Sequence, residues 1–83
     1  MARYYFNLRE GDELIADDEG LELPAIESAR NEAIRGLADL TRDAICNSAR
    51  GDLAIEVVDD ERKLLFVARV VFEVALLGHE SAK

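Results

Sequence analysis

Eighty-three residues with 49% apolar content can build one small core and no more than one domain, and that content argues against global disorder. Eighteen acidic residues against ten basic ones leave a net charge of −8. The basic residues are scattered from Arg3 to Lys83, so nucleic acid and anionic membrane surfaces are disfavoured as partners.

A single cysteine, Cys46, excludes an internal disulfide framework. The opening residues carry no apolar stretch of the kind a signal peptide needs. The longest apolar run, 64–77, is interrupted by Arg69 and Glu73. The expected location is the cytoplasm.

Residues 3–9 alternate, with Tyr4, Phe6 and Leu8 on one side and Tyr5, Asn7 and Arg9 on the other, which predicts a half-buried strand. Glu10-Gly11-Asp12 reads as a turn, and 13–16 as a short return strand. A second turn, Asp17-Asp18-Glu19-Gly20, precedes Leu21-Glu22-Leu23 as a lead into Pro24. Pro24 suits a helix start, and Glu27 suits the positive end of the helix dipole.

Ala25 stands at the expected N-cap, where Ser or Asp would stabilise by about 1 kcal/mol. The helical pattern runs over 25–49. Ile26, Ala29, Ala33, Leu37, Leu40 and Ala44 form its inner arc, widened on one flank by Ile34, Ala38 and Ile45. Glu32, Arg35, Asp39 and Arg42 alternate in sign on the far side. Gly51 reads as the residue that closes the helix.

Residues 53–58 and 64–72 follow as two strands joined by a polar loop without glycine. Alternation predicts Leu64, Phe66, Ala68, Val70 and Phe72 on one face of the last strand. Leu65, Val67 and Val71 fall on the other face, interrupted by Arg69. The expected architecture is α+β: a small antiparallel sheet of three to four strands, in β-β-α-β-β order, with one long helix on one face. Residues 1–77 form the domain and 78–83 a flexible tail.

Catalytic chemistry finds little support. The one histidine, His79, falls in the tail, so a base that titrates near neutrality is lacking elsewhere. Cys46 lies on the charged helix face as a surface thiol. Six of the eleven residues from Glu10 to Gly20 are acidic, yet Asp17, Asp18 and Glu19 are consecutive and lack the ligand alternation of a calcium loop. No enzyme activity, metal site or cofactor is expected; a metal- or small-ligand-binding role for the acidic 10–20 segment is the alternative.

The stretch Arg3 to Asp12, then Asp17 to Pro24, then Glu27 to Ala33, resembles a family of short alphaproteobacterial proteins common in rhizobia. These carry an uncharacterised domain of unknown function, with a pattern R-Y-[YF]-F-H-[LI]-R-D-G-D followed by D-x-x-G-x-E-L-P-D and A-R-x-E-A. Two positions depart from the pattern: Asn7 replaces a histidine, and Ala25 an aspartate cap. In outline, Leu23-Pro24 and the Glu27 to Ala33 stretch are also similar to the N-terminal half of HicB-type antitoxins. That likeness implies a multimer that binds a partner protein.

One helix cannot hide both faces of an apolar sheet. The residues left over are Tyr5, Leu65, Val67 and Val71 on the open face and Ile34 and Ile45 on the helix flank. They are expected to form an interaction surface for a homodimer or higher homo-oligomer, with room for a further protein partner.

Overall fold

A computed structural model describes residues 1–78; His79 and the rest of the expected tail lie outside the described residues. Among the described residues, five strands and one helix follow in chain order: β1 (Ala2–Glu10), β2 (Glu13–Ile15), β3 (Leu21–Leu23), α1 (Ile26–Asn47), β4 (Arg50–Val58) and β5 (Leu64–Glu73). The fold is α+β, with one antiparallel sheet in the order β2-β1-β4-β5. The fifth strand is β3, read from sequence only as a lead into Pro24. Leu21 and Leu23 pair with Tyr4 and Ala2, on the same side of β1 that β2 uses further along.

The two short strands are joined by Asp17. Its Oδ2 accepts the Phe6 N–H at 3.1 Å, and its own N–H donates to Asn7 Oδ1 at 2.9 Å. Asp17 Oδ1 accepts from the N–H groups of Glu19 and Gly20. Gly20 takes φ +74°, and a Cβ there would lie 2.9 Å from the Tyr4 carbonyl oxygen, so only glycine fits this approach.

The helix packs its small face on the sheet. Ala29 and Ala33 have no exposed surface, and Leu37 is buried below them. They meet Tyr4 on β1 and Leu53, Ile55 and Val57 on β4, with Phe66, Ala68 and Val70 of β5 closing the cluster. The helix lies over β4 and β5 rather than over β1. Ala25 caps the helix with extended backbone and no side-chain hydrogen bond, as its methyl requires. On the outer face Arg35 pairs with Glu32 at 3.0 Å and Arg42 with Asp39 at 3.3 Å, the expected alternation of charge.

Two expectations are corrected. The helix ends at Asn47, and Ser48 already has extended backbone. Asn47 Nδ2 donates to the Asp43 carbonyl at 2.8 Å, supplying an end partner without a glycine. Gly51 belongs to β4, opposite Phe72, where the missing side chain makes room for the ring.

The second correction concerns the start of β5. Phe66 opposes Val57, but Val58 opposes Leu64, leaving Leu65 as an extra residue. This bulge reverses the simple alternation. Leu64 is 53% exposed, whereas Leu65 is half-buried and packed against the core.

Candidate interaction surface

Beyond the face covered by α1, the sheet carries a mixed surface. Arg9 of β1 and Arg69 of β5 stand opposite Ala54 of β4 on either side. Arg9 pairs diagonally with Glu56 at 2.9 Å. Arg69 grips Asp52 with two bonds, Nε to Oδ1 at 3.0 Å and Nη2 to Oδ2 at 2.7 Å. The hydrogen bonds from Arg69 and its charge hold the Asp52 carboxyl below its ordinary value, and Arg69 is raised in return. Arg50 and Glu73 approach to 4.0 Å.

These pairs divide the open face, so the continuous apolar patch read from sequence is absent. Val67 and Val71 remain exposed but lie on either side of Arg69. Tyr5 is remote from both, on β1, opposite Val58. Val58 in turn opposes Leu64, so Tyr5, Val58 and Leu64 form one cross-strand row. The Arg62 guanidinium covers the Tyr5 ring at 5.2 Å from its centre. Leu65 leaves the open face altogether through the bulge. No local residue preference signals that exchange between Leu64 and Leu65, because a bulge is set by pairing.

The lateral side of the molecule collects the rest. Ile34 and Val67, 33 residues apart in sequence, line one groove of about 420 Å³ with Ile26, Phe66 and Ala68. Arg30 and Glu27 complete its lining. Ile45 lies three turns beyond Ile34 on the same flank of the helix and is equally exposed, at 44%. Ile26, exposed at this groove, carries no surface signal in the sequence, since it belongs to the core-facing series of the helix.

Below this flank runs β5, ten residues long. Its far side pairs with no strand among the described residues. After it, Val74 donates its N–H to the Ala49 carbonyl, and Val74, Leu76 and Leu77 are exposed rather than folded back over either patch.

Other candidate chemistry does not converge. No group of three or more His, Cys, Asp and Glu among the described residues is placed to hold a metal ion. Both Asp17 oxygens accept protein N–H groups. Cys46 is exposed on α1. No helix among the described residues is long and apolar enough to cross a membrane.

Comparison with known protein families matches residues 3–71 to the family described as a domain of unknown function, DUF6894. No curated protein and no solved structure matches the chain.

Proposed function

Since the chain belongs to the DUF6894 family, whose domain has no assigned function, we propose from the geometry itself that it is a self-associating interaction module without catalysis of its own. The observation that carries this reading is the asymmetry of the two sheet edges. On one side β1 is covered by two three-residue strands with Asp17 bridging them. On the other, a ten-residue, largely apolar strand presents an edge that pairs with no strand among the described residues, beside exposed Ile34 and Ile45. Long bare edges of this kind are pairing templates, which monomeric proteins usually shorten, bend or cover. A chain of 9.2 kDa has little core of its own, so burying this flank adds stability that the monomer lacks.

Sedimentation velocity at tens of micromolar tests the proposal. The expected result is a species of at least twice the 9.2 kDa chain mass. A single 9.2 kDa species over that range overturns it.

A further inference from the structure

Resting on that reading, we infer that the partner is a second copy of this chain, added edge to edge through β5 with Arg69 of one copy opposite Glu73 of the other. Three observations specify this arrangement. The first is the backbone. Val74 donates to the Ala49 carbonyl, one step beyond the Arg50–Glu73 pair and in line with the β4–β5 register. Antiparallel pairs alternate, so Phe72 and Val70 direct their N–H and C=O groups to β4. Glu73, Val71 and Arg69 turn theirs to the free edge. An antiparallel copy must therefore set these odd-numbered residues against each other.

The second is charge. A two-fold axis at Arg69 would oppose two guanidinium groups, which is destabilising. An axis at Val71 places Arg69 opposite Glu73 twice. Val71 then faces its own copy, and Val70 faces Phe72 on the helix side. Arg69 has both Nε and Nη2 on Asp52, while its side chain stays 61% exposed. Arg50, Glu73, Arg69 and Asp52 then form an alternating series across the junction.

The third is spacing. The axis is perpendicular to the sheet, so both helices lie on one side. Each helix lies over β4 and β5. Two copies then set their helices two strand spacings apart, about 10 Å, the distance at which helices pack. The flanks that meet carry Ala38 and Ile45, and beyond them Ile34.

The test uses the full chain. Arg69→Glu and Glu73→Arg, each alone, are expected to weaken dimerisation about tenfold or more, because each converts two attractive pairs into two repulsive ones. Mixed in equal amounts they are expected to form a heterodimer with the wild-type dissociation constant, since both junction pairs are again of opposite charge. In a Cys46→Ala background, Val71→Cys is expected to oxidise to a covalent dimer, as paired Cα atoms about 5.5 Å apart allow. Glu13→Cys, on the opposite edge, is expected to remain uncrosslinked. A wild-type dimer whose charge variants do not complement, or whose Val71→Cys form crosslinks no faster than Glu13→Cys, overturns this interface and leaves self-association standing. A monomeric wild type overturns both.

Discussion

Gly51 and Phe72 oppose each other across β4 and β5, and a Cβ on Gly51 would lie 2.5 Å from Phe72 Cε2. The ring occupies the volume a side chain would fill. Gly51→Ala therefore forces the ring outward. The expected cost is about 1–2 kcal/mol, the overpacking penalty less the entropy that alanine saves in the unfolded chain. Phe72→Ala should cost less in the Gly51→Ala background than in wild type. A double-mutant cycle by urea unfolding measures this coupling, and additive effects would show that the ring does not depend on the vacancy.

At the other end of the helix, Ala25 holds φ −158° and ψ 164° with no side-chain hydrogen bond. That backbone is the extended form a capping residue adopts. Ala25→Asp places an acceptor near the free N–H groups of the first turn and an anion at the positive end of the dipole. The expected gain is about 1 kcal/mol, or roughly 4–8 °C in Tm for a domain of this size. Thermal unfolding by circular dichroism reads it directly.

Asp17 gives a pH dependence. Partial burial raises its carboxyl pKa, but hydrogen bonds from the N–H groups of Phe6, Glu19 and Gly20 outweigh that and leave it below its ordinary value. A carboxyl lowered by folding contributes stability that is present above its unfolded pKa, near 4, and is lost as pH falls through the folded value. Asp17→Asn keeps one acceptor and loses the charge. It should lower stability at pH 7 by roughly 1 kcal/mol. The loss should shrink as pH falls from about 4 through the lowered folded value, below which wild type itself is protonated. Urea titrations at pH 7 and at pH 3 compare the two proteins.

Ala33 has no exposed surface where α1 meets the sheet. Ala33→Leu adds volume where no space is open between the two layers. The expected cost is about 2–3 kcal/mol, a large share of the margin of a domain this small. Ala38→Leu, on the exposed flank of the same helix, should change monomer stability by less than about 0.5 kcal/mol. Chemical denaturation of both variants separates helix propensity from packing.

Periodicity made much of this fold legible. Tyr4, Phe6 and Leu8 alternate with Tyr5, Asn7 and Arg9, so the core side of β1 could be read directly. Ala29, Ala33 and Leu37 recur at helical spacing and are the buried stripe. The Leu21–Leu23 strand was too short to declare itself, and its pairing depends on the distant Ala2–Tyr4 segment. Leu64 and Leu65 exchange sides because β5 is one residue longer than its partner at that point, a mismatch no local preference records. Arg9, Glu56, Arg69 and Asp52 are ordinary surface charges in the sequence; the sheet brings them within bonding distance and breaks the apolar face between them.

The chain by itself determined which stretches become helix and strand and which sides turn inward, because side-chain period and backbone geometry are local properties. Tertiary structure alone decided that Gly51 accommodates Phe72 rather than closing a helix. It also decided that Ile34 and Val67 share a groove and that the far side of β5 pairs with no strand among the described residues. Those outcomes arise from pairing between segments far apart in sequence, where register and close packing select the neighbours.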